Sequence, residues 1–202
     1  MQGAIVHIFA KAPLPGTVKT RLARTIGDVA ACDLYRDMLA QTVRRLGAGT
    51  GWHTVLAVTP DVAADRPDLW PVAAERRPQG PGDLGARMLR VLATAREDRP
   101  VVIVGSDIPD LDAPHVASAF AALRGGEIVI GPALDGGFWL IGASAPPPAG
   151  LFDAVRWSTA FALSDTLANA AGLRVALLDD RLEDLDDAEG LSRLAGRIGA
   201  QP

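Results

Sequence analysis

The densest group of side chains able to handle phosphate lies near the start of the chain, in FAKAPLPGTVKTRLA from Phe9 to Ala23. Lys11, Lys19, Arg21 and Arg24 fall within or just after a stretch broken by Pro13, Pro15 and Gly16. The apolar run Ala4-Ile5-Val6-His7-Ile8-Phe9 before it reads as a buried strand, and a helix-like pattern follows. Strand, Gly/Pro loop with cations, then helix is an order that offers backbone N–H groups and fixed positive charge to an anion. A surface loop with solvated lysines has the same composition, so the stretch gains meaning only beside later segments. The first of these is Gly105-Ser106-Asp107-Ile108-Pro109, which closes the apolar run Val101 to Val104. In an open α/β sheet, ligands sit outside the carboxyl ends of the strands, where the strand order reverses. If the two strands are neighbours, Lys19 and Arg21 face Asp107 across one crevice. Cations opposite a carboxylate suit a nucleotide polyphosphate bridged by Mg²⁺ or Mn²⁺. The structural alternative for Asp107 is a turn or cap residue ahead of Pro109.

Several familiar chemistries are absent. Gly16, Lys19 and Thr20 lack the spacing of a Walker A loop, and no G-x-G-x-x-G fingerprint occurs, which argues against an ATPase and an NAD enzyme. His7, His53 and His115 are scattered without metal-ligand spacing, and no Ser/His/Asp set stands out. The net charge of −4 gives no basic face for a nucleic-acid backbone. The single cysteine, Cys32, falls in a helical stretch and reads as packing. No run has the length of a membrane span and no signal peptide opens the chain, so a cytoplasmic protein is expected.

Length and composition suit one domain over residues 1–202, with 49% apolar residues to build its core. A helix capped by Asp28 is expected, with Ala31, Leu34, Tyr35, Met38, Leu39, Thr42, Val43 and Leu46 recurring at three and four. Strands are expected at Thr54–Val58, Pro71–Ala74, Val101–Val104, Glu127–Ile130, Phe138–Gly142 and Leu173–Leu178. Helices should follow Asp83, run from about Ala113 to Arg124, cover 159–171 and close the chain after an acidic cluster at Asp179–Glu189. Asp83 is placed as an N-cap, and Trp70 reads as packing. Strands alternating with helices give an α/β fold with a doubly wound, mostly parallel sheet.

Six segments then carry a resemblance over nearly the whole length: KAPLPGTVKTRLA at 11–23, QGPGDLGARM at 79–88, GSDIPDL at 105–111, GPALDGGFWLIG at 131–142, LFDAVRWST at 151–159 and DLDDAEGL at 184–191. In that order they resemble the DUF2064-type glycosyltransferase family, which has the GT-A (nucleotide-diphospho-sugar transferase) fold and is related to 2-phospho-lactate guanylyltransferase. The resemblance implies nucleotide-phosphate binding by Lys11, Gly16, Lys19 and Arg21, and metal binding by Asp107. It also implies an acceptor pocket at Asp135, Gly136 and Gly137. Gln79 is a further candidate on the nucleotide side and Trp139 on the acceptor side. In the last segment Asp184 and Asp186 match possible metal ligands, whereas Gly190 stands where the family has a third acid. A solvated acidic loop that caps the final helix is the other reading of this cluster.

The fold supports two transfers. In nucleotidyl transfer an acceptor phosphate attacks the α-phosphorus of an NTP, and positioning with charge neutralisation does nearly all the work. In glycosyl transfer from an NDP-sugar, an inverting enzyme needs a carboxylate base, for which Asp135 is the candidate. The cationic first loop favours nucleotidyl transfer to a small phosphorylated acceptor, with Lys19, Asp107 and Asp135 as the catalytic set. A nucleotide-binding module without catalysis is the reading from another class.

Overall fold

A computed structural model describes residues 3–49 and 51–199, the last three of these as backbone only. Seven strands form one sheet: β1 (Ala4–Lys11), β2 (Trp52–Thr59), β3 (Arg76–Pro78), β4 (Val101–Gly105), β5 (Ile128–Pro132), β6 (Phe138–Ala143) and β7 (Val175–Leu177). Their spatial order is β3-β2-β1-β4-β6-β5-β7. Every pairing is parallel except those of β6, which runs antiparallel to both β4 and β5. The exception follows from chain length. Only residues 133–137 separate β5 from β6, too few for the crossover that a parallel pair requires. The sheet is thus mostly parallel, as the alternation of elements predicts.

Helices cover both faces: α1 (Thr20–Ile26), α2 (Asp28–Gly47), α3 (Leu84–Leu92), α4 (Ala113–Ala122), α5 (Ala162–Asn169) and α6 (Ala188–Gly199). On one face Val6 and Ile8 of β1 meet Leu39 and Leu46 of α2 and Phe120 of α4. On the other, Ile103 and Ile141 pack beneath Met88 and Leu92 of α3 and Ala162 of α5. β4 is central and buried at all four apolar positions, as expected for a run without alternation. Cys32 is buried in α2, and Trp70 is buried with its indole N–H donating to the Ala63 carbonyl.

Local expectations needed four corrections. Pro71–Ala74 is not a strand; the pairing with β2 begins instead at Arg76, beyond a proline that offers no N–H to a ladder. Gly27, with φ of 87°, is the N-cap of α2, so Asp28 sits in the first turn, where its charge complements the positive end of the helix dipole. α5 starts at Ala162 rather than 159, because Thr159 makes a turn, accepting at its hydroxyl from the Phe161 N–H (3.2 Å). β7 shrinks to Val175–Leu177 at the sheet edge. Asp83 caps α3 as expected, its carboxylate accepting from the Ala86 N–H at 2.8 Å.

His7 of β1 is 4% exposed and lies between Val55 of β2 and Ile103 of β4. Neither ring nitrogen has a hydrogen-bond partner. Burial, then the charge of Arg77, push its pKa down to about 4, with Glu75 opposing and His53 adding slightly. The unfolded chain therefore takes up this proton first as pH falls. The associated stability is complete above pH 6.5 and is lost between 6.5 and 4. At ~1.4 kcal/mol per pKa unit, the full loss approaches about 3 kcal/mol. Chemical denaturation at a series of pH values should show that His7→Leu removes this component from the pH 7 to pH 4 slope.

Candidate functional site

β1 and β4 are neighbours in register, Phe9 opposite Gly105, so the loops that leave their carboxyl ends start side by side. Tyr35 of α2 ties those loops together. Its hydroxyl accepts from the Lys11 N–H (3.0 Å), donates to the Lys11 carbonyl (3.1 Å) and lies 3.1 Å from the Ser106 hydroxyl. Thr42, two turns further along the same face of α2, donates to the Ser106 carbonyl at 3.3 Å. Burial and the charge of Asp107 push the Tyr35 phenol up to about 12, so it stays a neutral hydrogen-bonding pin.

Beyond the pin, the first loop delivers Lys19 in the left-handed region (φ 48°, ψ 41°) at the N-cap of α1. A non-glycine residue held there costs on the order of 1 kcal/mol, which the surrounding contacts must offset. The ammonium is the contact that does so. It forms an ion pair with the Asp107 carboxylate and donates to Asp186 at 2.8 Å. The Lys19 side chain is 3% exposed, against 24% for Asp107 and 46% for Asp186. Burial alone would lower the ammonium pKa; the charges of Asp107 and Asp186 outweigh it and raise the value.

Asp186 arrives from far along the chain. After β7, residues 179–187 cross back over the sheet ends. The Trp139 indole donates to the Asp180 carbonyl (3.0 Å), Leu182 bridges to Ala133, and the Leu185 N–H donates to the Asp107 carbonyl (3.0 Å). Asp187 then caps α6, accepting from the Gly190 N–H at 2.9 Å. The acidic cluster is divided between two places. Asp187 serves the helix, while Asp184 and Asp186 face the cleft. Burial, followed by repulsion from Asp186 and Asp107, pushes the Asp184 carboxyl up to about 6. The repulsion marks a place short of positive charge.

The cleft itself has a volume of about 480 Å³. Arg21, Asp107, Asp135, Gly137, Trp139, Asp184 and Asp186 line it among the residues expected from sequence. Lys19 lies beneath, behind its two carboxylates. Asp135 accepts from the Gly137 N–H at 2.8 Å, which fixes its carboxylate at the rim. Gly136 has φ of 87°, and a Cβ there would stand 2.4 Å from the Ala160 carbonyl oxygen. This position needs glycine because the 157–161 segment packs directly on it. Gly131 is constrained likewise, since a Cβ would fall 2.4 Å from the Trp139 ring.

Besides Lys19 and Gly136, three expected residues are not on the cleft lining. Lys11 is exposed, its ammonium donating to the Thr17 carbonyl at 2.7 Å, and Gly16 turns the loop with φ of 75°. Gln79 is buried, donates to the Ala57 carbonyl (2.8 Å) and offers its own carbonyl to Arg90 (2.8 Å). Its side chain and backbone are engaged in holding the end of β3 to β2. The sequence reading did not single out the apolar side of the cleft, formed by Phe9, Leu84, Met88, Phe138 and Trp157. Leu84 alone carried a signal, as an apolar residue directly after a helix cap.

The donor set suits a hard divalent cation, since Asp107, Asp184 and Asp186 offer carboxylate oxygens at one crevice. Among the described residues, however, no group of three or more His, Cys, Asp or Glu side chains is set closely enough to hold a metal by itself. Such a site fits an ion that arrives with phosphate oxygens and keeps some of its water, as Mg²⁺ does. No helix of the described residues is long and apolar enough to cross a membrane.

The family described as an uncharacterized protein conserved in bacteria (DUF2064) matches residues 42–159. The chain is 31% identical to the 3-phospho-D-glycerate guanylyltransferase of Phenylobacterium zucineum (strain HLK1) over 207 residues, covering 91% of this chain and 94% of that protein. A Desulfovibrio desulfuricans G20 crystal structure, described as a nucleotide-diphospho-sugar transferase, superposes with a TM-score of 0.87 at 29% identity, covering 100% of this chain and 90% of that one. The 4-diphosphocytidyl-2C-methyl-D-erythritol synthase of Anaerococcus prevotii shares the fold at 10% identity, with a TM-score of 0.58 and coverage of 98% and 97%. The resemblance carried by the six sequence segments is thereby borne out: the chain belongs to the DUF2064 family and is an enzyme with the fold of the nucleotide-diphospho-sugar transferases.

Proposed function

We propose that the protein is a metal-dependent nucleotidyltransferase that moves a nucleoside monophosphate from an NTP to a small acceptor bearing a phosphate. The observation that carries the reading is the Lys19 ammonium set between Asp107 and Asp186 at the junction of β1 and β4. It places a cation and two carboxylates where a polyphosphate and its divalent ion would share one crevice. The likeness to a guanylyltransferase over nearly the full chain supports the same class. Asp107, Asp184 and Asp186 would hold Mg²⁺ or Mn²⁺, which supplies neutralisation of charge on the triphosphate. Lys19 and Arg21 would bind the phosphates, with Lys11 and the Gly16 turn at the outer edge of the loop. The acceptor phosphate oxygen forms the new bond to the α-phosphorus, and the bond to the bridging oxygen breaks as pyrophosphate leaves. No base is needed, because the attacking oxygen is already an anion. Asp135, Gly136, Gly137 and Trp139 would line the acceptor side.

Glycosyl transfer from an NDP-sugar is the second reading, favoured by the fixed carboxylate of Asp135 at the rim. A thermal-shift panel of the four NTPs and common NDP-sugars, with and without Mg²⁺, separates the two, since a ligand of the folded state raises the melting temperature. Metal-dependent stabilisation by one NTP over its NDP-sugars is the expected result; preference for an NDP-sugar would overturn it.

Asp107→Ala should lower turnover by roughly 10²–10³-fold, the scale of a lost electrostatic stabiliser, and unchanged turnover would remove Asp107 from the site. Asp135→Asn should reduce nucleotidyl transfer by less than about tenfold, against a loss of ~10²-fold or more if Asp135 is a base. Because Lys19 competes for the carboxylates, Mn²⁺ titrations followed by electron paramagnetic resonance should show weak binding alone and tight binding with NTP. Lys19→Met should strengthen binding of Mn²⁺ alone while weakening that of the nucleotide.

A further inference from the structure

The cleft is divided by charge. Among the described residues its lining carries one cation, Arg21, against the four carboxylates Asp107, Asp135, Asp184 and Asp186. The other cations nearby are committed to protein partners. Arg87 donates to the Gly82 carbonyl (2.8 Å), Arg90 to the carbonyls of Gln79 (2.8 Å) and Pro81 (2.9 Å), and Arg156 makes a two-pronged pair with Asp165 (2.9 and 2.7 Å). Arg156 also lies 3.9 Å from the centre of the Phe161 ring. Lys19 is already balanced by two acids. Once an NTP has taken the first-loop cations, no positive side chain on the lining is left for a second anionic group on the acceptor.

The opposite side of the cleft is apolar and partly unsealed. Phe9, Leu84, Met88, Phe138 and Trp157 form it, Trp157 standing edge-on to Phe138 at 6.2 Å between ring centres. Leu84 is 44% exposed at the first position of α3, where a fold would gain nothing from an apolar side chain. Leu134 and Phe161, both exposed, adjoin the lining residues Asp135 and Ala160 at the rim. Apolar surface that a fold leaves open inside a polar-rimmed cleft is a mark of a ligand site.

We infer that the acceptor is a phosphate monoester with an apolar body and no carboxylate, its body seated against Leu84, Met88, Phe138 and Trp157 and its phosphate directed to the nucleotide. The inference rests on the nucleotidyl-transfer reading and narrows its acceptor. The bond changes are those given above, with the apolar body unaltered and its phosphate becoming the second half of a pyrophosphate diester. The acceptor differs in kind from 3-phospho-D-glycerate, the substrate named for the Phenylobacterium relative.

The test uses the full chain, saturated with Mg²⁺ and the α,β-methylene analogue of the NTP that binds, and titrates phenyl phosphate, isoamyl phosphate and 3-phospho-D-glycerate by calorimetry. The two apolar esters should bind about tenfold or more tightly than 3-phospho-D-glycerate, the scale of burying a few methylene groups. Leu84→Asp, a change at an exposed position, should abolish that preference with the nucleotide Kd unchanged, and Trp157→Ala should do the same if it folds. Equal or tighter binding of 3-phospho-D-glycerate overturns the inference. Loss of nucleotide affinity in Leu84→Asp also overturns it, because the apolar side would then seat the base. Failure of every NTP analogue to bind would instead refute nucleotidyl transfer itself, and the acceptor inference with it.

Discussion

One buried ammonium sets the terms for the rest of this structure. Lys19 has almost no access to water, and a lone cation there would be expelled or neutralised. Asp107 and Asp186 hold it charged, and in return it holds two carboxylates close together that would otherwise repel. Neither acid is fully buried, so the group is not sealed like a core ion pair. Its exposed oxygens face the cleft, where burial, and after it repulsion from Asp186 and Asp107, raises the pKa of Asp184 beside them. The cluster sets one ammonium against the three carboxylates of Asp107, Asp184 and Asp186, so negative charge is in excess at the cleft.

The sheet makes the cluster possible by topology. Placing β1 beside β4 brings residues 19 and 107 to one edge, although 88 positions separate them. The antiparallel β6 then turns the chain so that the tight 133–137 loop sits at the same edge as those strand ends. Tyr35 pins the two loops from below without titrating at ordinary pH. Beside the cleft, Gly131 and Gly136 each let a ring or chain approach the backbone too closely for a side chain.

Much of this was legible in the sequence, and the parts that were not share a cause. The first loop and Asp107 are polar residues in short segments next to apolar strands, so local pattern located them; Asp135 and the 184–186 acids were marked by the family resemblance. Their convergence required only that the strands be neighbours, which the alternation of elements suggested. Gln79 and Lys11 illustrate the limit. Residue type marked both as site candidates, yet Gln79 spends its side-chain amide on Ala57 while its backbone carbonyl accepts from Arg90, and Lys11 turns to Thr17. The apolar side of the cleft was invisible for the opposite reason. Phe9, Met88, Phe138 and Trp157 look like core residues in sequence, and only the packing shows that one side of them is left open. The direction of β6 was implicit in the five-residue connection, and the strand at Pro71–Ala74 failed because a proline-led apolar run can pack without pairing.

The return of residues 179–187 across the sheet has a consequence for how the protein is made. Asp186 completes a contact with Lys19 across 167 positions, and the Leu185 amide closes on Asp107. Synthesis runs from the amino end, so β1 to β6 can pair and bury their core while this segment is still inside the ribosome. During that interval Lys19 has one carboxylate instead of two, and the crevice has no floor beyond Asp107. The contact that joins residues 19, 107 and 186 therefore forms later than the strands whose ends it spans, after residues 179–187 have been made.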